Sequence, residues 1–165
     1  MIEISESQLR SIRQEAESRY PNESCGILIG TSRGDTKRVK LLVPAENNFS
    51  KEEQYHRYWI TPEEYRSAER LASSEKLDII GLYHSHPDHP ARPSQFDLDH
   101  AWGWFSYIIT SVANGTSGAM HSWVLNGDRT GFDEERITTP DELKEEELYH
   151  GDKDSYSDTP STLHR

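Results

Sequence analysis

Two histidines stand one residue apart at the end of an apolar run, in Gly81-Leu82-Tyr83-His84-Ser85-His86-Pro87, and a carboxylate follows at Asp97. Residues i and i+2 of an extended chain point to the same side, so the imidazoles of His84 and His86 can face one point. Pro87, Pro90 and Pro93 stiffen the loop that follows. Ser94-Gln95-Phe96-Asp97 then reads as a helix start, with Ser94 as cap and Asp97 in the first turn, able to aim its carboxylate back at the histidines. Two imidazoles and one carboxylate make a three-ligand zinc site with one position open. That suits catalysis, because structural zinc closes all four positions with protein groups, usually thiolates. Zinc held there brings the pKa of its water from ~15.7 toward ~7. Such a site also needs a base, and Glu23 is the candidate. It lies in Pro21-Asn22-Glu23-Ser24-Cys25-Gly26, just ahead of an apolar strand. Position alone leaves the ordinary alternative open, a solvated glutamate at a helix-to-strand junction.

Neighbouring residues with the right chemistry have simpler readings. His89 follows His86 amid prolines and reads as a solvated histidine rather than a fourth ligand. Cys25, the single cysteine, reads as a small buried hydrophobe rather than a nucleophile. Ser94 has an ordinary role as a helix cap. Asp99 and His100 read as helix surface or as partners that orient the ligands. Trp102 and Trp104 are expected in the core, with a groove wall as the alternative for one of them.

The elements that position these residues are legible from pattern. Ser5 with Gln8 forms a capping box ahead of Leu9, Ile12 and Ala16, a helical spacing that Pro21 ends. Cys25-Gly26-Ile27-Leu28-Ile29-Gly30 is a strand, answered across a turn by a second at 37–43 that stops at Pro44. Residues 45–54 read as loop and 55–60 as a further strand. Thr61-Pro62-Glu63-Glu64 opens a helix whose apolar face is Tyr65, Ala68, Leu71 and Ala72. Strands follow at 77–83, 105–112 and 120–125. Asn126-Gly127 signals a tight hairpin into a last strand near 129–132, and 141–149 reads as a helical turn or two. Helices between and outside strands give a mixed α/β (α+β) domain, a curved β-sheet with helices packed on it.

The bulk properties bound the function. A chain of 165 residues fits one domain. No apolar run nears the ~20 residues of a membrane span, the N-terminus carries no signal-peptide pattern, and a lone cysteine fits a reducing cytoplasm. Lys and Arg number 18 against 29 Asp and Glu, for a net charge of −11, and no basic run breaks the acidity, which argues against nucleic acid as a partner. Between Thr138 and Arg165, three basic side chains face eight acidic ones. The expected organisation is a domain over 1–137 and an acidic, disordered tail over 138–165. The sequence does not set the oligomeric state.

The set Glu23, His84-Ser85-His86, Ser94 and Asp97, with these intervals, resembles the JAMM signature of the MPN-plus metallopeptidases, prokaryotic type. Glu-Ser-Cys-Gly before a strand, Gly-Leu-Tyr-His-Ser-His-Pro and the Pro-Ser pair before Asp97 add to the likeness, which extends from the first helix to about Ile137. The resemblance implies a single domain similar to cytidine deaminases, with zinc on His84, His86 and Asp97. It implies that Glu23 takes a proton from the water and passes it to the leaving amine, and that Ser94 donates to the oxyanion. It also implies cleavage of a peptide or isopeptide bond at the C-terminal tail of a ubiquitin-like, β-grasp protein of sulfur-carrier type. The short connections at 44–55 and at Asn114-Gly115 lack room for the insertions of polyubiquitin-specific relatives, so a small or flexible tail is the expected substrate. The alternative within the family is a non-catalytic MPN scaffold, which usually lacks part of the ligand set. A deaminase would need a paired-cysteine motif that this chain does not have.

Overall fold

Ile27, Leu28 and Ile29 are all fully buried, which requires helices on both faces of the sheet that contains them. The computed structural model describes residues 1–144, with strands β1 (Ile2–Glu3), β2 (Cys25–Arg33), β3 (Thr36–Ala45), β4 (Asp78–Pro87), β5 (Ser106–Ala113), β6 (Thr116–Leu125), β7 (Phe132–Glu135) and β8 (Ile137–Thr138) and helices α1 (Glu6–Arg19), α2 (Pro62–Ser74) and α3 (Gln95–His100). The strands form one sheet in the order β7-β6-β5-β4-β2-β3-β1-β8. Its two ends approach each other, because β7 and β8 are separated only by Arg136, whose carbonyl accepts from the Ile2 N–H at 2.9 Å. The sheet is therefore curved and nearly closed, with helices packed on it, the expected mixed α/β architecture.

One face carries Leu28, Val39, Ile80, Tyr83 and Ile108 against Ile12 of α1; the other carries Ile27, Ile29 and Ile79 against Ala68 and Ala72 of α2. Both helices start on capping boxes, the expected one at Ser5 and another at Thr61, where a cap was expected. Strand β4 is central, antiparallel to β2 and parallel to β5, so the segment that ends in the two histidines is held on both sides.

Several elements differ from the sequence reading. Residues 55–60 form no strand but run as turn and loop, their backbone bonded instead to Asn47, which accepts from the Trp59 N–H and donates to the Arg57 carbonyl. Strand β3 passes through Pro44 to Ala45; β1 pairs only with Lys37 and Arg38, so the missing N–H lies on an open edge. Leu71 is 40 % exposed, because the face of α2 that meets the sheet is carried by Ala68 and Ala72 with Tyr65. Asn126 and Gly127 make a longer loop rather than a two-residue hairpin: the Asn126 side chain accepts from Thr130 and Gly131, and the last long strand shifts to β7. Two-residue hairpins stand instead at Asn114-Gly115, both with positive φ, and at Gly34-Asp35 between β2 and β3. Pro140 opens a helical turn that reaches Lys144. The tail expected to be disordered falls from 145 onward outside the described residues. No described helix is long and apolar enough to cross a membrane.

Candidate active site

Strand periodicity places His84 and His86 on the α2 side of β4, while Tyr83 points the other way and donates to Glu15 of α1 at 2.7 Å. The imidazole Nε2 atoms of His84 and His86 stand 3.1 Å apart. Asp97 brings Oδ1 to 3.2 Å from His84 Nε2 and Oδ2 to 3.6 Å from His86 Nε2. All three residues are buried, and together they are a group able to hold a metal ion. Tetrahedral ligands about 2.0–2.1 Å from zinc lie about 3.3 Å from one another, so the observed separations fit the edges of such a site.

Each member of the group is oriented by its own surroundings. The Nδ1 of His86 lies 2.8 Å from the Pro90 carbonyl, which assigns the proton to Nδ1 and leaves the Nε2 lone pair facing the group. The proline loop is pinned in turn, since Trp123 Nε1 donates to the Ala91 carbonyl at 3.1 Å. The ring of Tyr58 stacks on His84 with centroids 4.6 Å apart. Burial, ahead of the opposing pull of Asp97, holds the His84 imidazole below its usual pKa, so it stays neutral as a metal ligand must. Burial works against the Asp97 charge, yet the neighbouring His84 and His86 and the hydrogen bond from Ser94 hold that carboxyl well below the ordinary range.

Asp97 is also the third residue of a capping box. Ser94 Oγ accepts from the Asp97 N–H at 3.1 Å, and Asp97 Oδ2 accepts from the Ser94 N–H and hydroxyl, each at 2.6 Å. The local rule that starts α3 thus aims its carboxylate at the histidines. The hydroxyl of Ser94 serves the cap and sits beside the group.

Glu23 arrives through sheet register. Cys25 pairs with His84 across β2 and β4, and continuing that register by two residues on each strand sets Glu23 opposite His86. There the ladder changes character: Ser85 N–H donates to the Ser24 carbonyl at 3.1 Å, and Ser24 N–H donates to Ser85 Oγ at 2.8 Å. Glu23 is 5 % exposed. Its main chain is held by Gln54 and Asn47 from the 46–60 loop. Burial and, after it, the charge of Asp97 push its carboxyl well above the ordinary value, a property suited to proton transfer near neutral pH.

The remaining candidates separate cleanly. His89 and Asp99 are exposed and their side chains are not part of the His84–His86–Asp97 group. Cys25 is buried, burial pushes its thiol pKa far up, and its Sγ lies 3.7–3.8 Å from the Ala45 and Glu46 carbonyls, so it packs rather than reacts. Trp102 and Trp104 are 51 % and 48 % exposed, which overturns their expected core role. Trp102 lines a cleft of about 300 Å³ whose wall includes Asp97. Tyr58, Asn47 and Ser85 escaped the sequence reading: hydrophobic patterning took the first for a strand residue, and nothing local distinguishes the other two.

Residues 5–126 match the family model described as prokaryotic homologs of the JAB domain. The chain is 34% identical over 121 residues to a desampylase of Haloferax volcanii, covering 72% of this chain and 81% of that protein. It is 30% identical over 108 residues to a desampylase of Pyrococcus furiosus, covering 63% and 67%. A solution structure of a Salinibacter ruber protein superposes with a TM-score of 0.66 at 41% identity, covering 84% of this chain and 92% of that one.

Proposed function

Because the chain belongs to the prokaryotic JAB-domain family and its desampylase relatives mark it as a hydrolase of the JAMM type, we propose that it is a zinc-dependent peptidase or isopeptidase. Its substrate is a bond at the C-terminal tail of a ubiquitin-like, β-grasp protein, cleaved in the cytoplasm. The observation that carries this reading is the buried His84–His86–Asp97 group with Glu23 brought opposite it by the β2–β4 register.

His84, His86 and Asp97 hold one zinc ion, which supplies Lewis acidity and an activated water when bound. Glu23, with its raised pKa, accepts the proton of the attacking water on its carboxylate and returns it to the departing amine. A hydroxyl at Ser94 donates to the oxygen on which charge develops. Tyr58 and the Pro90 carbonyl keep the two imidazoles in their orientations. The scaffold alternative expects a broken ligand set, and here every member is present.

The test is cleavage of a β-grasp carrier joined through its tail to a second protein, followed with and without a chelator. Chelator-sensitive release that disappears in Glu23→Ala is expected. Full activity of Glu23→Ala, or of metal-free protein, overturns the reading.

A further inference from the structure

Beside the candidate centre lies a cleft of about 300 Å³ lined almost wholly by apolar and aromatic groups, among them Tyr58, Trp59, Tyr65, Leu82, Trp102 and Tyr107. Trp59 and Trp102 stand on it 44 % and 51 % exposed. Single exposed aromatics are ordinary; two tryptophans on one concave apolar surface mark a binding site. The cleft is continuous with the centre at two points. Asp97 forms part of its wall, and Tyr58 both lines it and stacks on His84. Its shape is built in: Trp102 packs edge-on against Tyr65 at 5.1 Å and Phe105 at 5.3 Å, and its backbone N–H donates to the Tyr107 hydroxyl at 2.6 Å.

From this geometry we infer that the cleft is a specificity subsite for one bulky apolar side chain of the substrate, on the acyl side of the scissile bond. The inference rests on the peptidase reading above. Glu23, which hands the proton to the leaving amine, is absent from the lining, whereas Asp97 is in it. The amine portion therefore departs toward Glu23 and the acyl portion runs over Asp97 into the cleft. A volume at the small end of the ~300–1,000 Å³ range of ligand pockets takes a large side chain and excludes a folded surface. An extended chain advances about 3.3–3.6 Å per residue, and the cleft starts at the ligands, so the occupant belongs to one of about four residues before the bond. The titratable side chains on the rim besides Asp97 and the tyrosines are Arg66 and His100. Arg66 disfavours a cationic occupant.

The experiment uses zinc-loaded full-length protein and internally quenched peptides in which each of the four acyl-side positions is set in turn to Phe, Leu, Gly or Lys. One position is expected to favour Phe or Leu over Gly by about tenfold in kcat/KM, with Lys poorest. Trp102→Ala should flatten that preference to below about threefold, and Arg66→Glu should raise the Lys peptide relative to the Phe and Leu peptides. Cleavage with no positional preference overturns the subsite while leaving the peptidase reading intact. If no peptide is cut, acetylated Phe and Gly peptide amides are titrated while the Trp59 and Trp102 indole N–H resonances are followed. Saturable shifts with Phe alone, reduced in Tyr65→Ala, support the apolar site; shifts equal for Gly, or none, overturn it.

Discussion

Ser85, the residue between the two histidines, accepts the Ser24 N–H on its Oγ at 2.8 Å while donating its own N–H to the Ser24 carbonyl. This side-chain bond replaces the last rung of the β2–β4 ladder and fixes Glu23, one residue away, relative to His84 and His86. Ser85 itself is fully buried, and its hydroxyl is engaged by Ser24. In Ser85→Ala the Ser24 N–H loses its acceptor, which costs about 1–3 kcal/mol and frees the segment carrying the base. The expected result is a fall in kcat of about 10- to 100-fold with zinc content unchanged. Equal losses of zinc and of activity would assign Ser85 to the metal site instead.

Glu23 couples function to stability. Its carboxyl is raised well above 4.5, first by burial and then by Asp97, so the folded chain holds a proton that the unfolded chain has already released. Between 4.5 and the raised value the folded state binds more protons, and stability of the metal-free protein must fall as pH rises through that window. Below it the penalty is absent. Glu23→Gln removes the ionisable group, so the metal-free variant should melt above the parent at pH 8 and level with it at pH 4, while hydrolysis falls by about 10²–10⁴. Thermal unfolding in chelator at both pH values checks this; a variant less stable than the parent at pH 8 contradicts it.

How much of this site the sequence reveals depends on the range of the interaction. His84 and His86 follow from the two-residue period of a strand, and Asp97 from a capping box, because each is set by neighbours within four residues. Glu23 is positioned by register between strands about sixty residues apart, which no local pattern encodes; its intervals to the histidines pointed to it only through family resemblance. Tyr58 and Ile60 misread as strand residues for a physical reason. Aromatic and β-branched side chains suit any half-buried extended segment, and here they face His84 and α2 from a loop whose backbone is satisfied by Asn47. The same density of aromatics hid the cleft, since exposure of Trp59 and Trp102 is decided by the fold.

Metal binding should register in stability. Zinc at about 100 times its Kd adds about 2.7 kcal/mol to the folded state, and for a chain of this size 1 kcal/mol moves Tm by about 2–4 °C. A rise of about 5–10 °C on adding zinc is expected, reversed by chelator and absent in His84→Ala and Asp97→Asn. Retention of the full shift in both variants would place the ion elsewhere.

Ser94 serves the α3 cap and stands beside Asp97, and two substitutions separate its roles. Glycine is a tolerable cap that costs only a few tenths of a kcal/mol, yet it removes the hydroxyl; threonine keeps both. Ser94→Gly should therefore change Tm little and lower kcat by about 10²–10³, with Ser94→Thr retaining most activity. If the two variants turn over alike, the hydroxyl acts only as a cap.

Gly81 sets the spacing of the strand that ends in the histidines. It pairs with Ser106 across the parallel β4–β5 ladder, and a Cβ there would run into the Ser106 carbonyl oxygen. That oxygen is backbone, so relief requires β4 and β5 to separate, and overpacking of this kind costs about 1–3 kcal/mol or more. Gly127, by contrast, has open space where its Cβ would be. Gly81→Ala should lower Tm by several degrees and weaken zinc binding, because the separation displaces His84 and His86 relative to Asp97, whereas Gly127→Ala should match the parent in both. Differential scanning calorimetry with a zinc titration of each variant decides it: normal zinc affinity in a destabilised Gly81→Ala would show that the β4–β5 spacing supports the fold without tuning the site.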